Sequence, residues 1–537
     1  MREAVHVEKP WFAASLWEWI FTTDHKKIGI MYGVTSTVFF IVAGLMALGM
    51  RVELFNPGAQ YLKPETYNWF LTVHGAVILL WWAIGIWASF ANFFIPLMIG
   101  ARDVAFPRLN ALGYWIFFAA SVIALLTFIP GNQIMTMWTG YPPLSSTEGV
   151  GFAGQTALFV FIWHLTGFAS IAGAVNFITT VISMRQPGIG FFNLNLFIHG
   201  IMAANVIQLL GVPSVAGAVT MLFLDTYLNT SFFDPNRGGD PVLYQNLFWF
   251  YSHPAVYVMV LPAFGIISEV VSALARKPIF GYRSMVVAIW AIALVGFMVW
   301  THHMFVSGIP DWVKILMSYT TLLIAVPTGI KIFNWVATFY RAAIRYETPM
   351  LYAIGAILMF LIGGLTGIPL GIPAFDVAVH DSYFVVGHFH YVLGMAVTLS
   401  AFAGFFYWWP KITGKMYPEK LGKLSFWIVM IGSNVLYFAQ LVIGIWGMPR
   451  RYYDYPPIES WTELHQLQTY GAFILAFGIL LAVVALIKGA LSGEKAPQNP
   501  WMSNSLEWRL PSPPPPHNFD EPPKVEEDYC PHGYCKF

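Results

Sequence analysis

Charge is scarce in this chain of 537 residues: 10% are Asp, Glu, Lys or Arg, while 57% are hydrophobic. Soluble domains carry about 25% charged residues, so a life in water is excluded and a membrane is the implied solvent. A net charge of +1 leaves no basic surface to attract nucleic acid, and no such partner is expected. Cysteine is nearly absent. Cys530 and Cys535 are the only two, both at the end, so no disulfide framework shapes the fold. With His532 between them they form a minimal metal-ligand set, although a plain disordered tail is the simpler reading. The first residues are broken by charge and hold no cleavable apolar core, so the first true span is expected to drive insertion. Short alternating segments, the mark of an outer-membrane barrel, are lacking too. No internal repeat of the secondary-transporter kind is visible either.

What the chain has is a series of apolar runs long enough to cross a bilayer. Twelve are expected, at about 27–50, 68–99, 110–130, 153–182, 195–224, 245–272, 282–303, 312–339, 350–370, 382–408, 423–445 and 467–489. The predicted fold is an all-α integral membrane protein of twelve transmembrane helices. Residues 1–26 form a short leading segment, 27–490 the helical catalytic domain, and 491–537 a proline-rich tail expected to run extended. Twenty-one Lys and Arg residues fall on the termini and the even-numbered connections, and six on the odd-numbered ones. By the positive-inside rule both termini are predicted to be cytoplasmic.

Six histidines lie inside or at the edge of these spans and at one depth. His74, His253, His388 and His390 each stand roughly 9–12 Å below the outer edge at 1.5 Å per residue. His302 and His303 close the seventh run. Polar side chains are costly at such depth and usually serve function. One buried histidine is explained by hydrogen bonding between helices, the reading preferred for His164 and His199, but six from four helices in one layer point to metals. His253 with His302 and His303 offers three imidazoles, a copper-type set. His388 and His390, about 200° apart around a helix, point to opposite sides and so serve two centres. His74 is left to pair with one of them. Two axial histidines close a heme for electron transfer, whereas one leaves it open to a ligand such as O2.

The stretches "TTDHKKIG", "MIGARDVAFPRLN", "DPVLYQNLFWFYSHPAVY", "VWTHHMF", "AVPTGIK", "VHDSYFVVGHFHYVLGM" and "GMPRRYYDYP" carry a resemblance over about residues 20–523. The chain resembles the heme–copper oxidase superfamily and, within it, the cytochrome c oxidase subunit I family. The resemblance implies a proton-pumping terminal oxidase that reduces O2 to water, in a bacterial cytoplasmic (inner) membrane. It implies two hemes, one copper ion, and a magnesium or manganese ion shared with another subunit. His74 and His390 would be axial ligands of the low-spin heme, His388 would ligate the high-spin heme, and His253, His302 and His303 would hold the copper. Tyr257 stands where the family has a tyrosine linked to the copper histidine. It lies four residues from His253, on the same helix face. Arg450 and Arg451 would pair with heme propionates, with Asp376 in the same region, and Arg51 and Trp138 would contact heme. His380 and Asp381 match the magnesium or manganese site.

Two proton routes are implied by the same resemblance. One runs along Ser268, Lys331, Thr328 and Tyr257, with Glu269 beside Ser268 as a further candidate. Snorkelling to the nearby surface is the bland alternative for Lys331. The other starts at Asp103, with Asn92 and Asn110 as water-ordering neighbours; a salt bridge to Arg102 or Arg108 is the alternative for Asp103. Most of the family ends this second route in a glutamate where this chain has Ala255. Tyr251 and Ser252 are the local substitutes, as in a "YSHPAVY" subfamily that still pumps.

The implied partners are a subunit II carrying a dinuclear copper site, a subunit III, cytochrome c as donor, O2 and membrane lipid. A nitric oxide reductase would lack Tyr257 and Lys331. A quinol oxidase would carry His and Gln where Thr66 and Trp69 stand. A non-redox ion transporter would leave the six histidines unexplained.

Overall fold

The computed structural model describes residues 15–146, 153–519, 521–525 and 529–532. Among the described residues every long element is a helix, and strand pairing is limited to two isolated bridges, Ser382–Pro449 and Lys415–Lys495. Eleven helices are long and apolar enough to cross a membrane: α1 His25–Glu53, α2 Pro64–Ile99, α3 Pro107–Leu126, α4 Gly154–Ser183, α5 Leu196–Tyr227, α6 Pro241–Ala275, α8 Asp311–Phe339, α9 Thr348–Leu370, α10 Tyr383–Thr413, α11 Glu419–Ile445 and α12 Glu459–Ser492. The run predicted at 282–303 behaves differently. Its helix, α7 (Tyr282–Met298), is shorter, and the chain then tightens into a 3-10 turn, Trp300–Met304, that carries His302 and His303.

Burial orders the bundle. The apolar window of α6 is 94% buried, so this helix is central; that of α8 is 11% buried, so it lies at the rim with its apolar face outward. Close helix contact depends on small residues, since lipid offers no hydrophobic drive between helices. A Cβ added at Gly432 would meet the backbone N of Leu475 at 2.4 Å, and one at Gly471 that of Leu436 at 2.7 Å, which locks α11 against α12.

Three helices depart from regular pitch near the candidate ligands. α2 widens to a π-helix at Ile78–Ile84, just after His74, and α10 does so at His390–Ala396. Such π segments concentrate at functional sites, because the extra residue rotates the following side chains. α8 breaks at Ile324, where Pro327 cannot donate to the preceding turn.

The tail does not merely run over the surface. Trp501 and Trp508 are buried and donate to the Tyr407 carbonyl and hydroxyl, at 2.7 and 3.0 Å. Lys411 donates to Leu510 O (2.6 Å) and Lys26 to Pro516 O (2.8 Å). The proline-rich backbone is extended, and its free carbonyls satisfy lysines that the helix ends bury. The tail thus laces α1, α2 and α10 together at the end of the bundle away from the histidine layer. Of the Cys–His motif, Cys530 and His532 are buried, while Cys535 lies outside the described residues.

Candidate metal centre

The fold brings all six histidines to the wall of one cavity of about 1670 Å³. Pockets for a drug-sized molecule occupy about 300–1,000 Å³, so this space suits more than one large group. Its walls are mainly apolar, contributed by α1, α2, α6, α8, α9, α10, α11 and α12.

At its centre three imidazoles converge. His253 Nδ1 lies 3.0 Å from His303 Nε2, and His302 Nε2 lies 3.2 Å from the same atom. Their ligand atoms all fall within 4.8 Å of one another, so the trio could hold a metal ion. In the tautomers that turn three lone pairs on one another, the nitrogens repel unless a cation sits among them. Neighbouring groups fix the rings. His302 Nδ1 is 3.0 Å from Thr321 Oγ1, and Trp249 stacks on His303 at 3.8 Å. Outer partners of this kind orient metal ligands and set which nitrogen is free. The Tyr257 ring centre is 4.9 Å from that of His253, on the same face of α6.

The remaining three histidines are presented in the same way. His74 Nδ1 donates to Ala43 O (3.0 Å), His388 Nδ1 to Gly363 O (2.8 Å) and His390 Nδ1 to Val386 O (2.8 Å). Each Nδ1 therefore carries the hydrogen, and each Nε2 is left with a bare lone pair for a metal. His74 and His390 face each other with ring planes 12° apart and centres 6.3 Å apart. That arrangement fits two axial ligands of one metal. His388 points instead toward α9, where a Cβ on Gly367 would strike its ring at 2.8 Å. Tyr437 stacks on the other histidine, His390, at 4.9 Å. The residues present therefore fit a closed heme, an open heme and a copper ion.

Around this core the other predicted residues take distinct places. Trp138 packs against Gly75, one residue from His74. Arg51 is buried, donating to Gln468 Oε1 and His465 Nδ1 at 2.8 Å each, and its Nε has no hydrogen-bond partner among the described residues. Arg450 and Arg451 reach Asp381 at 3.3 and 3.8 Å. Burial would raise Asp381, but Arg450, Arg451 and His380 outweigh it and hold the carboxyl below its usual range. Burial and the Arg451 charge bring Arg450 down to about 10, still cationic at neutral pH. His380 Nδ1 pairs with Asp376 at 2.9 Å, and its Nε2 is 4.0 Å from Asp381.

Lys331 is fully buried, and its Nζ has no hydrogen-bond partner among the described residues. It sits over the Phe264 and Trp335 rings at 5.3 and 5.5 Å, so it does not snorkel. Ser268 accepts the Trp335 Nε1–H at 3.0 Å, and Thr328 bonds to Ile324 O at 2.8 Å.

On the other route, Asn110 donates to Asn92 Oδ1 at 2.6 Å. Both line a second cavity of about 70 Å³, whose far wall includes Tyr251, and Tyr251 also lines the large cavity. A water needs roughly 10–15 Å³ of such space, so a short water file fits between the asparagines and Tyr251. Ser252 Oγ is buried without a hydrogen-bond partner among the described residues. Asn205, Gln208 and Thr166 line the same small cavity and escaped the sequence reading. Their signal was available, as Asn205 and Gln208 interrupt the apolar run of α5.

Asp103 lies in the α2–α3 connection, where burial raises its carboxyl to about 6 against the pull of the Val104 N–H. A raised carboxyl stabilises the fold only while protonated, and that contribution is lost as pH rises from about 4 through 6. Asp103→Asn keeps the acceptor for Val104 and removes the buried charge. It is expected to raise the melting temperature of the complex at pH 8 and leave it unchanged at pH 4, as read by thermal unfolding in detergent.

Residues 27–474 match the family described as Cytochrome C and Quinol oxidase polypeptide I. The chain belongs to that family. It is 44% identical to Cytochrome c oxidase subunit 1 of Synechocystis sp. over 94% of this chain and 90% of that protein. It is 43% identical to the protein of that name from Thermostichus vulcanus, over 96% and 94%. To Probable cytochrome c oxidase subunit 1-alpha of Streptomyces coelicolor it is 44% identical, over 95% and 88%. A chain of a heme-copper terminal oxidase dimer, solved by cryo-electron microscopy, shares the fold: TM-score 0.76 at 20% identity, covering 88% of this chain and 85% of that one. Family membership and eleven apolar helices make this a multi-pass membrane protein, and hemes and copper are what the family implies.

Proposed function

We propose that this chain is the catalytic subunit of a bacterial terminal oxidase that takes electrons from cytochrome c, reduces O2 to water and moves protons across the inner membrane. The observation that carries the reading is the triad of converging imidazoles beside a bare His388 Nε2, in one cavity with the facing pair His74–His390. His74 and His390 would hold the low-spin heme, His388 the high-spin heme, and His253, His302 and His303 the copper. When bound, these groups supply the electrons and the open coordination positions at which O2 is reduced. The chain's own residues do the rest. Arg450, Arg451, Arg51 and Trp138 seat and orient the hemes. The apolar wall keeps bulk water from the centre, and Tyr257 would supply a proton and an electron to that centre from its phenol.

Lys331, Thr328 and Ser268 form one proton route to Tyr257, and Asp103, Asn92, Asn110, Tyr251 and Ser252 form the other. His380 and Asp381 contribute two ligands to a magnesium or manganese site that another subunit completes. A subunit II with a dinuclear copper site delivers the electrons, and a subunit III is expected beside it. The excess of Lys and Arg at the tail end of the bundle supports twelve crossings with both termini cytoplasmic. In the resembling "YSHPAVY" proteins pumping persists without the glutamate, and Tyr251 stands here at the junction of the two cavities. Tyr251→Phe is expected to slow proton-limited turnover by on the order of 10²-fold while the heme spectra stay unchanged.

Thr66 and Trp69 stand in place of quinol-binding side chains, which favours cytochrome c as donor. The test is O2 uptake and external acidification by vesicles holding the whole complex. Reduced cytochrome c should drive both, and a quinol should drive neither. Uptake with the quinol alone would reassign the donor.

A further inference from the structure

Glu269, beside Ser268, belongs to a group of buried titratable side chains that sits where the tail meets α6. Glu269 is 4% exposed, Glu507 1% and His532 3%. Asn195 ties the two carboxyls together: its Nδ2 donates to Glu269 Oε2 (3.0 Å) and to Ser505 Oγ (2.9 Å), and Ser505 donates to Glu507 Oε2. Phe197 N–H donates to Glu269 Oε1 (3.2 Å), and Trp408 Nε1–H to Glu507 Oε1 (3.4 Å). No Lys or Arg forms an ion pair with either carboxyl among the described residues. Lys411, within the field of Glu507, is bound to Leu510 O and Pro511 O instead. Arg509 lies against the Tyr529 ring. The Tyr529 hydroxyl is buried in the field of both carboxyls.

The contact that decides the chemistry is between Glu269 and His532. Nε2 of His532 accepts the Leu196 N–H at 3.3 Å, so a neutral ring carries no hydrogen there. The same Nε2 lies 3.4 Å from Glu269 Oε1. Two acceptors in a dry pocket repel each other unless one of them holds a proton. Burial keeps His532 neutral, down to about 3, and pushes Glu507 up to about 7.

Neighbouring residues link the group to the surroundings of Lys331. The Tyr282 ring is 5.6 Å from that of His532, and its hydroxyl donates to Leu194 O (2.6 Å) and lies 3.4 Å from His199 Nε2. On the other side of Glu269, Ser268 bonds to Trp335, the ring over which Lys331 is held.

We propose that Glu269, Glu507 and the tail residue His532 form a buried proton-holding port that supplies Lys331 from the cytoplasmic side. The inference rests on the reading of Lys331 as a proton carrier. A proton from the cytoplasm binds the Glu269 carboxylate as an O–H directed at His532 Nε2. When it passes inward, the carboxylate left behind takes the next one. The tail is then a working part of the route, and His532 a positioning residue for the Glu269 proton.

The test uses Glu269→Gln, Glu507→Gln, His532→Ala and Lys331→Met in the complete complex, each first shown to keep wild-type heme spectra. Infrared difference spectra should show a carboxylic-acid C=O band that Glu269→Gln abolishes and His532→Ala shifts. Anaerobic reduction of the high-spin heme should slow in Glu269→Gln and in Lys331→Met by on the order of 10²-fold, and by less in His532→Ala. A band that persists in both glutamine variants overturns the port. So does fast reduction in Glu269→Gln beside slow reduction in Lys331→Met, which leaves the Lys331 reading standing. Wild-type reduction in Lys331→Met would overturn the Lys331 reading and the port with it.

Discussion

His303→Ala is expected to empty the copper position while both hemes stay bound. His303 Nε2 is the atom on which the triad closes, 3.0 Å from one partner nitrogen and 3.2 Å from the other. Without it two imidazoles remain, too few to hold copper against competing ligands in solution. Loss of a group that merely orients a metal ligand costs about 10–100-fold, so removal of the ligand itself should lower O2 consumption by more than about 100-fold. The His74–His390 pair lies on α2 and α10, whereas His303 lies on the 3-10 turn Trp300–Met304, so the low-spin heme spectrum should be unchanged. Metal analysis and an optical spectrum of the same preparation check both halves. Copper retained at the wild-type level would remove His303 from the set.

Lys331→Met is expected to separate stability from turnover. The ammonium is fully buried over two aromatic rings and has no hydrogen-bond partner among the described residues. A lysine within a membrane span costs about 2.5–3.5 kcal/mol even on lenient scales, and cation–π contact returns only about 0.5–2 kcal/mol. Methionine fills similar space without the charge. The variant should therefore unfold at a higher temperature than the wild type while its turnover falls by on the order of 10²-fold. A variant both less stable and fully active would show that Lys331 is structural.

Much of this was legible in the sequence because membranes punish polar residues. Six histidines at one depth in the apolar runs, and one lysine, could not be accidental, and the structure gathers those six histidines around one cavity. The spacing of His388 and His390 foretold opposite directions, and they do face α9 and α11 respectively. Eleven of the expected runs are helices long enough to cross, whereas 282–303 gives a shorter helix and a 3-10 turn. Periodicity cannot register that change, since Gly296 and the aromatic residues after it are compatible with either geometry.

The partners that orient the ligands were not legible. Thr321, Thr366 and Gln468 are ordinary helix residues in sequence, and only tertiary placement sets them against His302, His388 and Arg51. Prolines exclude helix in the tail, so its sequence implies only an extended strap over the surface. Its role in satisfying Lys26 and Lys411 depends on carbonyls, which carry no sequence signature.

The most direct test of the whole account is a reduced-minus-oxidised optical spectrum of the purified complex, taken with and without carbon monoxide. One histidine pair and one single histidine predict two heme signals, of which only one shifts when carbon monoxide is added. Two signals that both shift, or a folded preparation with no heme signal, would contradict the assignment of His74, His388 and His390.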